Sequence, residues 1–212
     1  ISGISSYQLG RDDNGAVFDI LNNKNLNKMF CVHPPDIDNE KIIPLPIGFE
    51  EKERDGGNQK VINFHYHMRK DFSLKKDKFL LPYHTMSTNS QRNNLINYLR
   101  NLPFVDTQTD KLSFTDYLTL LNDYKFIIGL EGSGPDLHRN YEALLVNSIP
   151  INKKNVIKNL FDYHNVPGVF LEDWYQLDSK KYNEILNFSY NRDNIDKFLR
   201  IGYHIDLIRG LV

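Results

Sequence analysis

The chain has 212 residues and carries 26 basic against 27 acidic side chains, which gives a formal net charge of −1. A net charge this close to zero provides no broad basic field for nucleic acid or an anionic membrane surface. The sequence holds no run of about 18 apolar residues that would span a membrane. Its single cysteine, Cys31, excludes an internal disulfide and a thiolate metal cluster. An anionic ligand must therefore be bound by a few local side chains.

The N-terminal part of the chain reads as a few short elements. The apolar spacing predicts a helix near Val17–Leu21 and a strand at Met29–Val32, followed by a turn-rich connection over residues 33–43. A further strand, Leu45–Phe49, ends at Gly48 and marks a boundary between two lobes. We therefore expect a remnant of an N-terminal lobe at residues 1–48 and a larger domain at 49–212.

The larger domain alternates predicted strands with predicted helices. Residues 50–77 are charged, and the segment VINFHYH within them fits either a strand or a helix. Downstream, the predicted strands are Phe79–Tyr83, Phe104–Val105, Lys125–Leu130, Ile149–Ile151 and Val169–Leu171. The predicted helices are residues 90–101, a helix after the capping box Ser113-x-x-Asp116, and a C-terminal helix carrying Ile195, Phe198, Ile201, Ile205 and Ile208. This alternation predicts an α/β domain, Rossmann-like, with a mostly parallel sheet and helices on both faces.

The segment FIIGLEGSGPDLHRNYEALLVNSIPI, residues 126–151, is the most informative part of the chain. It reads as a buried strand, a glycine-bearing turn, a helix with Pro135 at its first position, and a second buried strand. A helix start leaves backbone N–H groups unpaired and is therefore suited to binding a phosphate. Gly132 and Gly134 remove side chains that would block the approach of such a ligand. The pattern lacks the third glycine of the dinucleotide fingerprint.

The first turns of this predicted helix carry a cation and a carboxylate. Spacing places His138, Arg139 and Glu142 on a side of the helix away from its core-facing residues. The Arg139 guanidinium would fork onto a diphosphate, and Glu142 would accept hydrogen bonds from ribose hydroxyls. The alternative is an exposed ion pair between Arg139 and Glu142 on an ordinary doubly wound domain.

The same segment resembles the exostosin-like glycosyltransferases through G-x-G-x-D-x-H-R-x-x-E-A-L followed by I-P-I. Three further motifs are similar to that family in the same order: PLPIGFE at 44–50, STNSQR at 87–92 and VPGVFLEDWYQL at 166–177. The resemblance covers most of residues 44–177. It departs where Asn147-Ser148 replaces the usual glycine before I-P-I, and in the near absence of an N-terminal, acceptor-side half.

The resemblance implies the C-terminal lobe of a GT-B glycosyltransferase with a shortened N-terminal portion. The expected reaction is inverting transfer of a sugar from a nucleotide sugar to a hydroxyl of a glycan or other acceptor. Two arginines supply positive charge to the leaving group, so neither a metal nor another cofactor is required. The expected donor-binding residues are Gly132, Ser133, Gly134, Asp136, His138, Arg139 and Glu142, with Arg92 and Thr88 from the STNSQR loop. No residue is identified as the general base.

Other interpretations stay open at the level of sequence. The alternative function is a non-catalytic module or scaffold that binds a nucleotide sugar but lacks the acceptor lobe. Arg92 also fits a solvated arginine beside a helix cap. His65, His67 and His84 have no carboxylate arranged with them, so we predict no zinc site. The expected compartment is the cytoplasm, or the Golgi lumen if a membrane anchor has been removed.

Overall fold

Five parallel strands make up the larger sheet of the computed structural model, which describes residues 14–84, 89 and 92–212. The strands are β1 (Met29–Val32), β2 (Ile42–Leu45), β3 (Lys76–Leu81), β4 (Val105–Thr107), β5 (Tyr124–Ile128), β6 (Ile149–Lys153) and β7 (Val169–Leu171). The larger sheet has the order β4-β3-β5-β6-β7, and β1 pairs in parallel with β2 in a second sheet. The predicted α/β class with a parallel sheet is therefore confirmed.

The described residues also form helices, some of which connect the strands of the larger sheet. They are α1 (Asn14–Asn22), α2 (Gln59–His67), α3 (Arg92–Arg100), α4 (Phe114–Leu121), α5 (His138–Leu145), α6 (Ile157–His164), α7 (Ser179–Leu186), α8 (Arg192–Phe198) and α9 (Ile201–Arg209). Short 3-10 helices lie at Asp55–Gly57, Phe72–Leu74 and Trp174–Gln176. Within the described ranges, no helix has the length and apolar character that crossing a bilayer requires.

Both faces of the larger sheet are covered, as alternation along its strands requires. Successive strand residues point to opposite faces. Phe79 and Phe126 thus belong to one buried cluster, with residues of α3, α6, α7 and α8, whereas Leu80 and Ile127 belong to a second cluster with residues of α2 and α4. Helix α5 contributes to both clusters, and its residues from Asn140 to Leu145 are all buried. The helix that carries the predicted site therefore has no fully exposed side.

The ambiguous segment VINFHYH forms a helix, α2. Asn58 precedes that helix, and its side-chain oxygen accepts hydrogen bonds from the backbone N–H groups of Lys60 and Val61 at 3.1 and 3.4 Å. Ile62 and His65, three residues apart, face the interior. A side-chain cap of this kind satisfies donors that a helix start leaves unpaired. Ser113 caps α4 in the same way, with its oxygen 3.1 Å from the Asp116 nitrogen, as the sequence predicted.

The prediction of a single C-terminal helix, made from the apolar spacing, is wrong. The chain forms two helices there, because Arg200 adopts an extended backbone conformation between α8 and α9. Ile195 and Phe198 of α8 are buried, whereas Ile201 of α9 is 77% exposed. The apolar residues of the two helices therefore do not form one stripe against the core.

The small β1–β2 sheet lies beside the larger one and is covered by α1. Val17 and Leu21 of α1 pack against Ile42 of β2. On the other side, the His164 Nε2 atom at the end of α6 lies 2.9 Å from the Pro44 carbonyl oxygen. After β2 the chain turns at Gly48, whose φ of +69° is in the left-handed region that favours glycine. The division into domains at this residue stays a prediction.

The amino ends of β3, β5 and β6 enclose a buried lysine. Lys75, only 5% exposed, has its Nζ atom 2.9 Å from the Asn122 carbonyl oxygen, 2.7 Å from that of Val146 and 3.0 Å from the Ser148 hydroxyl. The Ser148 hydroxyl in turn lies 2.7 Å from the Tyr124 carbonyl oxygen, which it can donate to. Burial, with a smaller contribution from Lys70, lowers the pKa of Lys75 from 10.5 to about 7. We call this group the amino-edge cluster.

Candidate functional site

The strand order places the expected ligand site at the carboxyl ends of β3 and β5. In the larger sheet, β3 comes first in sequence but lies between β4 and β5. The chain passes from β3 to β4 on one side and then returns past β3 to β5 on the other, so the order of the strands reverses beside β3. Ligands of open parallel sheets bind in the crevice outside the carboxyl ends of the strands at such a switch point. The segments that follow β3 and β5 contain most of the site residues predicted from the sequence. Thr88, on the first of these segments, lies outside the described residues.

His84 joins the two segments. Its Nδ1 atom lies 2.6 Å from the Pro82 carbonyl oxygen, and its Nε2 atom accepts the Leu130 N–H group at 3.3 Å. This pattern requires a proton on Nδ1 and a lone pair on Nε2. Burial, followed by the charges of Arg139 and Arg92, lowers the pKa of His84 well below 6.5. The imidazole is therefore a neutral crosslink beside two guanidinium groups.

Arg92 begins α3 and holds the segment that follows β5. Its Nε atom donates to the Glu131 carbonyl oxygen and its Nη2 atom to that of Leu130, both at 2.9 Å. The side chain is 6% exposed, which corrects the interpretation of Arg92 as a solvated arginine. Burial and the charge of Arg139 lower its pKa, although a guanidinium stays protonated. Arg92 thus supplies positive charge at the predicted place and also fixes a loop.

Arg139 lies in the first turn of α5 and reaches the segment after β3. Its Nε atom donates to the Tyr117 hydroxyl and its Nη2 atom to the Tyr83 carbonyl oxygen, both at 3.0 Å. Burial lowers the pKa of Arg139, but Tyr117 and Glu142 raise it by more. The guanidinium is thus held in one orientation between Tyr117 and the segment after β3, and it lines neither of the two clefts described below.

Glu142 is an interior residue rather than an open carboxylate. It is 8% exposed and interacts with the Tyr117 hydroxyl and the Arg139 guanidinium. Burial raises the pKa of Glu142, while Arg139 and Tyr117 lower it in part. The alternative interpretation, an exposed ion pair between Arg139 and Glu142, is therefore wrong. Instead, Tyr117 and Glu142 support the Arg139 guanidinium inside the protein.

Asp136 and His138 attach the start of α5 to the chain that follows β2. The Asp136 Oδ2 atom accepts the Ile47 N–H group at 3.1 Å and the Tyr141 hydroxyl, and Oδ1 accepts the Leu137 N–H group at 2.8 Å. The His138 Nδ1 atom lies 2.7 Å from the Gly48 carbonyl oxygen. Burial raises the pKa of Asp136, although these donors oppose the rise. Both side chains therefore have partners within the protein at the predicted lobe boundary.

The glycine turn does not lead directly into the helix. Helix α5 begins at His138 after Leu137, which provides no side-chain cap, so Pro135 does not occupy the first helical position. Gly132 and Gly134 are half-buried and Ser133 is exposed. A Cβ atom on Gly134 would lie 3.1 Å from the His33 Cε1 atom, so its lack of a side chain accommodates His33 of the N-terminal part. The turn thus packs against other residues of the protein, whereas the phosphate interpretation required space for a ligand beside the two glycines.

A polar cleft of about 260 Å³ opens beside the carboxyl ends of β5, β6 and β7, and we call it the edge cleft. From α3 and the residues before it, the cleft is lined by Asn89, Arg92, Asn94 and Leu95. From the strand ends it is lined by Leu130, Glu131, Lys153, Trp174 and Tyr175. Of these residues only Arg92 is in the set predicted from the sequence. The others are outside that set, although Glu131, Lys153 and Tyr175 follow or end parallel strands, which is a usable signal.

The side chains of the edge cleft are held by neighbouring residues. The Glu131 carboxylate accepts a hydrogen bond from the Asn155 amide. Asp173 caps the 3-10 helix of Trp174 and Tyr175, accepting the Tyr175 N–H group at 2.9 Å. Trp174 is buried, whereas Tyr175 is 58% exposed. The cleft thus combines cations, a carboxylate and an open aromatic ring on a fixed frame.

A second cleft, of about 310 Å³, lies at the predicted lobe boundary. It is lined by Ile47, Phe49, Glu50, Glu51, Arg54 and His138. Among the predicted site residues only His138 borders it, and only Arg92 lines the edge cleft, so the other described residues of the predicted set line neither of these two clefts.

No protein-family model matches the chain, and no curated protein matches it either. The resemblance to the exostosin-like family, with its GT-B architecture, therefore stays a prediction.

Proposed function

We propose that this chain binds a nucleotide sugar and transfers its sugar to a hydroxyl group of an acceptor. The observation that carries the proposal is a pair of guanidinium groups, the buried Arg92 and the half-buried Arg139, at the switch point of a parallel sheet. Charge concentrated at such a point is suited to the diphosphate of a nucleotide sugar. The resemblance of the GSG segment to exostosin-like glycosyltransferases adds the reaction class.

In the proposed reaction the bond between the sugar carbon and the diphosphate oxygen breaks, and that oxygen takes the electron pair. The acceptor oxygen forms the new bond to the same carbon and gives its proton to a general base. Positive groups fixed before the reaction stabilise the charge that grows on the departing diphosphate. Arg139 is suited to this role because Tyr117 and Tyr83 engage two of its five N–H donors and thereby orient it.

Because several predicted residues contact other parts of the protein, their roles in the proposal differ from those expected from the sequence. Glu142, expected to hold the ribose, instead positions Arg139 through Tyr117. Asp136 and His138 fix the chain around Ile47 and Gly48 and so hold the start of α5 in place. The ligand contacts that remain in the proposal are those of Arg139, the GSG turn and Arg92.

The proposal is tested by calorimetric titration with UDP and with GDP. Arg139→Ala should weaken binding of the nucleoside diphosphate by ~1.5–3 kcal/mol, the range for a hydrogen bond to a charged group. Arg100→Ala is the matched control, because Arg100 is an exposed arginine at the far end of α3. A melting curve of each variant separates loss of binding from loss of fold. Equal affinities for the Arg139 variant and the unaltered chain would remove Arg139 from the ligand site.

A second candidate function is binding without turnover. It is favoured by the fact that Asp136 and Glu142, the carboxylates of the predicted site, are both buried with partners inside the protein. In this candidate, UDP or GDP binds as above, but the chain releases no nucleoside diphosphate from UDP-glucose or GDP-mannose. Release that increases with an added glycan acceptor would exclude this candidate and support transfer.

A further inference from the structure

The edge cleft contains three chemically different side chains outside the predicted site. Lys153 ends β6, Glu131 follows β5, and Tyr175 lies in the turn after β7. None of them contributes to the buried apolar clusters of the sheet. A cation, a hydrogen-bond acceptor and an open aromatic ring in one cleft match a ligand that has a phosphate, hydroxyls and a flat ring.

The open ring of Tyr175 is held from behind. Its centroid lies 4.8 Å from that of Tyr98 of α3, and the Tyr98 hydroxyl is 3.3 Å from the Tyr175 carbonyl oxygen. The Asp173 cap fixes the backbone on the other side. An exposed tyrosine held in this way offers a surface on which a nucleobase can stack without first being ordered.

The two lysines that follow one another at the end of β6 differ in surroundings. Lys154 is exposed and pairs with Glu172 at 2.6 Å, outside the lining of the cleft. Lys153 is half-buried and lines the cleft. The ammonium of Lys153 is therefore the one of the pair that faces a ligand in the cleft.

The strand order gives the cleft a direction. Tyr175 lies beyond β7, Lys153 ends β6, and the crevice under Arg139 lies between β5 and β3. Neighbouring strands are ~4.8 Å apart, so roughly 12 Å separate the β7 side from that crevice. This span is of the size of an extended nucleoside diphosphate, with its base at one end and its phosphates toward the other.

We propose that the edge cleft binds the nucleoside end of a nucleoside diphosphate, with the base stacked on Tyr175 and a phosphate at Lys153. Glu131, held by Asn155, accepts a hydroxyl of the same ligand. The inference rests on the proposed function, because it takes the nucleotide of the donor as the ligand. It adds residues that recognise the base and locates them on the β7 side of the sheet.

The test is equilibrium binding to the full chain, measured by calorimetry with UDP, GDP, pyrophosphate and glucose 1-phosphate. Tyr175→Ala should weaken binding of UDP or GDP about tenfold, as loss of one base–aromatic stack does, and Tyr175→Phe should restore it. The Tyr175→Ala change should leave pyrophosphate binding unaltered. Lys153→Met should weaken binding of the nucleoside diphosphate and of pyrophosphate alike, about tenfold.

Matched controls remove the same types of side chain outside the cleft. Lys154→Met removes the neighbouring lysine, and Tyr163→Ala removes an exposed tyrosine of α6 that does not line the cleft. Both should leave every affinity unchanged. Melting curves identify any variant that has lost its fold, and the Tyr175→Phe chain then provides the comparison.

The outcomes that overturn the inference are specific. Unchanged UDP and GDP affinity in Tyr175→Ala, or no binding of either nucleotide to the unaltered chain, removes the base site. Equal weakening of glucose 1-phosphate and UDP would assign the ring to a sugar instead. If both variants lose affinity but the chain never transfers sugar, this inference stands and the proposed activity fails. If transfer occurs and neither variant changes the Michaelis constant for the donor, the proposed activity stands and this inference fails.

Discussion

The two ends of the five-stranded sheet both carry positively charged side chains, but the partners of those side chains differ. At the amino end, Lys75 is enclosed by the carbonyl oxygens of Asn122 and Val146 and the hydroxyl of Ser148. At the carboxyl end, Arg92 and Arg139 donate to backbone carbonyl oxygens of the loops that follow β5 and β3. An ammonium has three donors, whereas a guanidinium has five. The Lys75 ammonium is enclosed by the acceptors of its own cluster, whereas Arg92 and Arg139 fix the loops at the edge of the sheet where the edge cleft opens.

This difference shows how one sheet separates stability from binding. The amino-edge cluster closes on itself, so changes in it should alter folding and leave a distant ligand unaffected. The carboxyl edge opens into the edge cleft, where side chains such as Lys153 line a space of about 260 Å³. Changes at that edge should alter binding more than folding.

The largest expected effect comes from breaking the amino-edge cluster. Lys75→Met keeps the length of the side chain but removes the donor, which leaves the Val146 carbonyl and its neighbours without their hydrogen bonds inside the protein. Each buried acceptor left unpaired costs ~1–3 kcal/mol, so the free energy of unfolding should fall by ~3 kcal/mol. Denaturant titration measures the change.

The control for this variant is Lys70→Met. Lys70 is half-exposed and pairs with Asp123, and such surface pairs contribute ~0–1 kcal/mol. UDP affinity should be unchanged in Lys75→Met under conditions in which the chain stays folded. Equal stability of the two variants would mean that the enclosed lysine does not stabilise the amino end.

A second effect, smaller within any one pH unit, is expected from pH. The pKa of Lys75 is about 7 in the folded chain, against an ordinary value of 10.5. Between these values the unfolded chain binds a proton that the folded chain has released, so the free energy of unfolding rises with pH. The slope is at most ~1.4 kcal/mol per pH unit for one group. Below pH 7 both states hold the proton, and the contribution is lost.

The measurement is the free energy of unfolding between pH 7 and 10 in the unaltered chain and in Lys75→Met. The difference between the two profiles should widen as the pH rises, because the variant has no ammonium at this position. Parallel profiles would show that Lys75 keeps its proton in the folded state and that hydrogen bonds to the ammonium outweigh the effect of burial.

Local pattern predicted many elements of the fold but not all of them, since the predicted strand Leu45–Phe49 is wrong and β2 instead spans Ile42–Leu45. The strands Met29–Val32 and Val169–Leu171 have the bounds that were predicted, and Ser113 caps its helix as expected. Burial in a parallel sheet and capping both depend on residues close in sequence. The prediction of one C-terminal helix was wrong because the apolar spacing continues unchanged across Arg200. The break comes from the extended backbone conformation of that residue.

The candidate site was harder to predict, because the partners of its side chains are distant in sequence. His138 binds the carbonyl of Gly48, and Asp136 binds the N–H group of Ile47, 90 and 89 residues away. No spacing rule within α5 distinguishes such a contact from a ligand contact. Lys153 and Tyr175 stayed outside the predicted set, because position at the end of a strand does not by itself distinguish a residue that lines a cleft from a solvated one.

The smallest expected change in stability is at the carboxyl edge. Lys153 is half-buried and lies outside the apolar clusters, so Lys153→Met should alter the free energy of unfolding by less than ~0.5 kcal/mol, as most surface changes do. Its effect should appear only with ligand present. At 100 times the dissociation constant of the unaltered chain, UDP should add ~2.7 kcal/mol to that chain, but only ~1.4 kcal/mol to a variant that binds tenfold more weakly.

Thermal unfolding with and without UDP measures both quantities in one experiment, and Lys154→Met provides the baseline. A loss of stability in Lys153→Met without ligand, with the UDP increment unchanged, would reverse the comparison between the two ends of the sheet. The carboxyl edge would then stabilise the fold as the amino-edge cluster does. A ligand increment that is halved in Lys153→Met and unaltered in Lys75→Met places binding at one end and stability at the other.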